Sequence, residues 1–133
     1  MTRKEAREGG FIIIFEYEFQ KLSAESLLEL YYEYRPEVDG QKEYLENLVH
    51  TTLNHLAKID AVITENTRGW ALSRLSRVSL AALRIGICEL LYDKNLPAGI
   101  AINEAVQLAK DYEGEKASGF VNGILASVAK SLA

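Results

Sequence analysis

The sequence predicts an all-α protein: about seven helices in two packed helical sub-bundles. Apolar residues recur three and four apart along most of the chain, and no period-two alternation of useful length occurs. Only two prolines interrupt its 133 residues. One stretch, VSLAALRIGICELLY over residues 78–92, is apolar almost all round, which marks a central, buried helix.

The elements follow in order. Thr2-Arg3-Lys4-Glu5 fits a capping box and opens a helix over about 3–19. Ser23 caps a second helix, with Leu27, Leu28, Tyr31 and Tyr32 as its stripe, and Arg35-Pro36 ends it. Asp39-Gly40 is a turn. Tyr44, Leu45, Leu48, Val49, Thr52 and Leu56 predict a third helix over about 41–58. Asp60 is expected to cap a short fourth helix through Ile63, closed by Gly69. Trp70 falls in a connection, where a large ring can plug two packed elements together. The apolar helix over 78–92 comes fifth and stops at Asp93-Lys94-Asn95 and Pro97. A sixth runs over about 99–112. A seventh runs over about 117–132 on Val121, Ile124, Leu125, Val128 and Leu132. The split near Arg68-Gly69-Trp70 divides a single domain, 1–133, into helical halves of about 1–69 and 70–133. Each half alone is too small to bury much core.

Composition narrows the function classes. Hydrophobic residues make up 48% and charged residues 26%, the balance of a soluble globular protein. No stretch approaches ~18 uninterrupted apolar residues, so no membrane span is expected. FIIIF at 11–15 is too short and has no small-residue cleavage site after it, so no signal peptide is read. The single cysteine, Cys88, excludes an internal disulfide and fits a reducing cytoplasm. His50 and His55 are five apart, off the helical zinc spacing, and no HExxH, P-loop or GxGxxG motif occurs. Cys88 lies in the apolar helix, where a thiol is an inert hydrophobe. Neither an enzyme, a metal site nor a cofactor is expected.

The first turn stands out. Arg3, Lys4 and Arg7 crowd the start of a chain whose net charge is −4. On a helix they share a face, which Phe11 and Phe15 continue in steps of four. Cations running into aromatic rings suit single-stranded RNA, with guanidinium groups on phosphates and rings on unstacked bases. Cations at a helix N-terminus also oppose the macrodipole. The same residues fit a second reading, in which the cations are a solvated face, the two phenylalanines are core, and the protein is a helical adaptor. Gly9-Gly10 costs ~1 kcal/mol per residue relative to alanine. These glycines permit either fraying of the first turns or close approach of a neighbouring helix.

The second half carries a more specific signal. Leu83-Arg84 with Glu89-Leu90, Pro97, Ile102-Asn103-Glu104-Ala105-Val106, Ala109-Lys110 and Phe120-Val121-Asn122-Gly123-Ile124-Leu125 occur in fixed order and spacing. With Trp70, Leu72 and Arg74-Leu75 upstream and the arginine-rich start, the chain resembles the NusB family of transcription antitermination factors over essentially its full length. A related module occurs fused to RNA cytosine methyltransferases, but this chain is expected to lack such a catalytic domain. Read physically, Ile102, Val106 and Ala109 pack inward, and Asn103 and Glu104 pair with backbone groups or with Arg84. Gly123 is expected to permit close helix packing, and Asn122 either bonds a loop backbone in the core or faces a ligand.

The resemblance implies a non-catalytic, cytoplasmic factor that binds boxA-type single-stranded leader RNA together with the ribosomal protein NusE. It implies action within an RNA polymerase antitermination complex that serves ribosomal RNA operons, as a monomer or homodimer. Arg3, Lys4 and Arg7 are then expected on RNA, with Phe15, Lys110, Tyr112, Lys116 and Phe120 on the same surface. Phe120 fits both a stacking role and that of a core staple. The NusE surface is implied near Ser79, at a position usually acidic in the family. Lys4 replaces an arginine, keeping charge but losing the planar fork. Cys88 stands where an aromatic is common, Glu113-Gly114 reverses the usual glycine placement, and Lys116 adds positive charge.

Overall fold

A computed structural model describes residues 1–35 and 39–133; Pro36, the expected stop of the second helix, lies outside them. Among the described residues the chain is helical throughout: α1 (Arg3–Gln20), α2 (Ala24–Tyr34), α3 (Lys42–Asn54), α4 (Leu56–Glu65), a short 3₁₀ turn (Leu72–Arg74), α5 (Arg77–Tyr92), α6 (Ala98–Glu113) and α7 (Glu115–Leu132). The capping box forms as read. The Glu5 N–H donates to Thr2 Oγ1 at 3.1 Å and the Thr2 N–H donates to Glu5 Oε1 at 2.7 Å. Ser23 caps α2, and Ser76 caps α5 by accepting from the Ser79 N–H at 3.0 Å.

Helix α5 is the hub. Every residue from Ser79 to Glu89 is buried, and α1, α3, α4, α6 and α7 all pack on it. Two apolar clusters result. Ala6 and Ile13 of α1 join Leu27, Leu28 and Tyr31 of α2 and Leu45 and Val49 of α3. Phe11 and Ile14 of the same α1 join Leu48, Ile59, Ile63 and the inward faces of α5, α6 and α7. Helix α1 therefore belongs to both.

The third helix ends earlier than periodicity indicates. The chain breaks at His55 (φ −116°, ψ 24°), and α4 starts at Leu56, so Asp60 lies inside α4 and caps nothing. The change of direction lets Ile59 and Ile63, both fully buried, reach the α5 core. It also sets Asp60 against Arg84, whose Nε and Nη2 each donate to it at 2.9 Å. Arg84 Nη1 donates to Glu18 on α1 at 2.7 Å. Glu104, expected near Arg84, instead meets Arg7 and Lys4.

The glycines divide into two kinds. A Cβ on Gly9 would fall 2.5 Å from the Tyr31 hydroxyl oxygen, and one on Gly10 would fall 2.7 Å from Leu48 Cδ2. These glycines let α2 and α3 approach α1. Gly86 does the same for α7 and α6, since its Cβ would fall 2.8 Å from Leu125 Cδ1 and 3.0 Å from Ala105 Cβ. Gly123 is not a packing glycine: a Cβ there meets nothing within 4 Å. Asn122 is likewise exposed and outside the core, because both fall on the outer face of α7 while Val121, Ile124 and Leu125 turn inward.

Candidate nucleic-acid interface

The first turn of α1 holds its three cations in three different ways. Arg3 is exposed. Its guanidinium lies 4.1 Å from the centre of the Tyr44 ring, and its Nε donates to Gln41 Oε1 at 2.7 Å. Lys4 is also open, with 65% of its side chain exposed, and its Nζ lies 3.5 Å from Glu104 Oε1. Arg7 is internal, with 5% of its side chain exposed. Its Nε donates to Glu89 Oε1 at 2.8 Å and its Nη1 donates to Glu104 Oε1 at 3.2 Å. The Tyr44 hydroxyl donates to the other Glu89 oxygen at 2.7 Å. The expected three-cation face is thus a two-cation face on a buried anchor. The helical step that aligns residues 3, 4 and 7 turns Arg7 into the seam between α1, α5 and α6.

Charge within the seam is balanced. Burial works against the Arg7 charge, but the Glu89 hydrogen bond and charge outweigh it, and the guanidinium is held above its ordinary value. Burial and Glu89 together push the Tyr44 phenol far up, so it stays a donor. Arg3 thus rests on a ring fixed from below, with less freedom than a free terminal arginine.

The remaining predicted residues lie on α1, α6 and α7. Phe11 is buried, and its ring centre lies 4.9 Å from that of Tyr112. Phe15 is half-buried against the core, 5.2 Å from the exposed Phe19 ring. Tyr112 is exposed, and its hydroxyl donates to Glu8 Oε2 at 2.6 Å; burial and Glu8 push its phenol up to about 12. Lys110 is exposed, with Nζ 3.9 Å from Glu115. Lys116 is exposed and makes no ion pair among the described residues. Phe120 is half-buried and packs on the core, so its staple role is real; its outer side meets Trp70, 5.9 Å between ring centres and 31° between planes. Trp70 plugs nothing, being 53% exposed.

Ser79 does not stand on the surface. It is 3% exposed, and its hydroxyl lies 3.4 Å from Glu113 Oε1, which also accepts from Ser76 at 2.6 Å. The accessible acid above that point is Glu113. Ser79, Glu113, Lys116, Phe120 and Trp70 share one groove of about 370 Å³. Sequence reading missed Gln41, Tyr44 and Glu89, the residues that position Arg3 and Arg7. They lie 38 to 82 positions away along the chain, and no local pattern links them to the basic start.

Among the described residues no helix is long and apolar enough to cross a membrane, and no group of three or more His, Cys, Asp or Glu side chains is placed to hold a metal ion. Fold and surface together define a compact helical module that carries a localised cationic face on an acidic body. Residues 4–130 match the model of the NusB family, and the chain belongs to that family. It is 35% identical over 130 residues to the transcription antitermination protein NusB of Ruminiclostridium cellulolyticum, covering 98% of this chain and 90% of that one. It is 40% identical over 125 residues to the NusB of Thermoanaerobacter sp. strain X514, covering 94% of this chain and 88% of that one. Among solved structures it is similar to Thermotoga maritima NusB, with a TM-score of 0.90 and 33% identity over 98% of this chain and 92% of that one. It is also similar to a chain in a crystal structure of the antitermination factors NusB and NusE with double-stranded RNA. There the TM-score is 0.89 and the identity 31%, over 97% of this chain and 96% of that one.

Proposed function

We propose that this protein is a cytoplasmic transcription antitermination factor. It binds boxA-type single-stranded leader RNA together with the ribosomal protein NusE, and it serves ribosomal RNA transcription by RNA polymerase. The observation that carries the reading is the exposed Arg3–Lys4 pair, braced by Gln41, Tyr44 and Glu104, on a NusB-family chain of net charge −4. In this reading Arg3 and Lys4 meet phosphates, and Arg7 holds their helix in place without touching RNA. Lys110, Tyr112, Lys116 and Phe120 line the path of the strand, with Phe15 at its edge. NusE docks by the groove above Ser79 through the Glu113 carboxylate. No catalysis is involved.

The test is fluorescence anisotropy of a labelled boxA-type RNA titrated with the protein, with and without NusE. Binding that tightens when NusE is present is expected. NusE capture with no RNA binding under either condition would make the chain a protein adaptor and overturn the RNA assignment.

A further inference from the structure

A groove of about 350 Å³ adjoins the Arg3 grip, between α3 and the end of α5. Tyr44 belongs to both, since its ring lies under Arg3 and lines the groove. Tyr44, Asn47 and Thr51 are three and four positions apart, so α3 presents them as one row. Tyr92 and Asp93, where α5 stops, line the groove as well. Leu48 and Cys88, both buried, give it an apolar floor. The volume is at the small end of ligand pockets, about 300–1,000 Å³, and gives room for one base rather than a folded partner.

The groove combines a braced ring with unused hydrogen-bonding groups. Tyr92 is exposed, and the His55 ring stacks on it with 4.3 Å between centres and 21° between planes. The Tyr44 hydroxyl is committed to Glu89, and Glu89 to Arg7, so the inner end of the groove is satisfied. The Asn47 amide and the Thr51 and Tyr92 hydroxyls make no hydrogen bond among the described residues. Asp93 Oδ1 accepts from the Asn95 N–H at 3.2 Å, and its second oxygen has no partner among them. No cation lines the groove, so a phosphate would find no partner inside it. Amide, hydroxyl and carboxylate groups beside a braced ring are instead what the face and edge of an unstacked base require.

We propose that this groove takes one base of the strand gripped by Arg3 and Lys4, stacked on Tyr92 and read at its edge by Asn47 and Asp93, and that it selects a base with an exocyclic amino group over uracil. The proposal rests on the RNA reading above and supplies what the grip lacks, because phosphate contacts position a strand without reading its sequence. A carboxylate only accepts hydrogen bonds. Asp93 therefore suits the amino group of cytosine or adenine and repels the carbonyl oxygen that uracil carries in the same place. Asn47 can pair with the same edge, and the backbone phosphate stays outside on Arg3.

The experiment follows the anisotropy of labelled oligo(C) and oligo(U) of equal length, titrated with the full-length protein without NusE. The two bases share a shape and differ in an amino group against a carbonyl. The wild type should bind oligo(C) about 5-fold or more tighter than oligo(U), the low end for one well-made pair. Asp93→Asn, whose amide can donate to uracil, should shrink that ratio by raising oligo(U) affinity. Asn47→Ala should weaken oligo(C) and leave oligo(U) unchanged. Tyr92→Ala should weaken oligo(C) roughly 5- to 150-fold, the range for one lost base stack, and Tyr92→Phe should restore most of it. In Asn47→Ala and both Tyr92 variants the slope of log affinity against log salt should stay at the wild-type value, because none of these side chains meets a phosphate. Equal binding of the two oligonucleotides by the wild type, or wild-type affinity and ratio in both Asn47→Ala and Tyr92→Ala, overturns the proposal and leaves the Arg3–Lys4 grip standing. A loss accompanied by a shallower salt slope assigns the effect to a disturbed grip and also overturns it. No RNA binding by the wild type at all removes both the groove's role and the reading it rests on.

Discussion

Arg7 shows how one residue can lie in a motif and do something other than what the motif suggests. Its charge is spent on Glu89 and Glu104 inside the protein, while Arg3 and Lys4, four and three positions before it, stay outside. Removing one partner of a buried pair leaves the other uncompensated, so Arg7→Ala should cost about 3–5 kcal/mol in urea unfolding. Arg3→Ala should leave unfolding within about 0.5 kcal/mol of wild type, because Arg3 is itself exposed and its contacts lie at the surface. Equal destabilisation by the two variants would contradict this division. Cys88 gives a second residue-scale expectation. Burial pushes its thiol up to about 11, so the folded protein should resist iodoacetamide at pH 8 and become reactive only when unfolded. Of the site, the cluster at residues 3–7 was legible, because it is contiguous. Which of its members face outward was not, because that depends on Tyr44, Glu89 and Glu104 arriving from other helices.

Among the elements, α5 was legible almost to the residue, since a helix buried all round leaves a long apolar run, here interrupted only by Ser79, Arg84 and Glu89. Both N-caps read from local residues, Thr2 and Ser23, also form as read. The break between α3 and α4 was not legible. Leu56 keeps the apolar period, and the reason to turn at His55 is tertiary: Asp60 must meet Arg84 and the His55 ring stacks on Tyr92, 4.3 Å between centres. Glycines hide in the same way, being identical in sequence and opposite in surroundings. Gly86→Ala forces Leu125 and Ala105 apart and should destabilise by about 1–3 kcal/mol. Gly123→Ala meets open space inside a helix and should stabilise by about 1 kcal/mol. Thermal melts of the two variants check both signs; a loss at Gly123 would mean that this face of α7 is covered.

Over the whole molecule, two buried arginines pin α1 antiparallel to α5, Arg7 to Glu89 at one end and Arg84 to Glu18 toward the other. The pins decide which end of the protein shows Arg3 and Lys4. Burial tends to raise the Glu18 carboxyl, but its hydrogen bond to Arg84, together with that charge, brings it below the ordinary 4.5. Above about pH 4.5 the carboxylate is ionised in folded and unfolded chains alike, and its contribution is whole. As pH falls further the unfolded chain binds the proton first, so stability is lost through the lowered folded value. The urea midpoint should therefore drop between pH 5 and pH 3, and drop less in Glu18→Gln; an equal drop in both would remove Glu18 from the acid response. The family was legible from the second half of the chain, where motif order and spacing are local properties. The proposed RNA surface was only half legible, because its residues come together from α1, α3, α6 and α7.

The most direct measurement is the salt dependence of boxA-type RNA affinity for the wild type and for Arg3→Ala/Lys4→Ala. Each phosphate neutralised contributes about −0.7 to the slope of log affinity against log salt. The double variant should lose about 1.4 from that slope, with its unfolding curve unchanged. An unchanged slope and affinity would mean that the exposed basic start does not grip RNA.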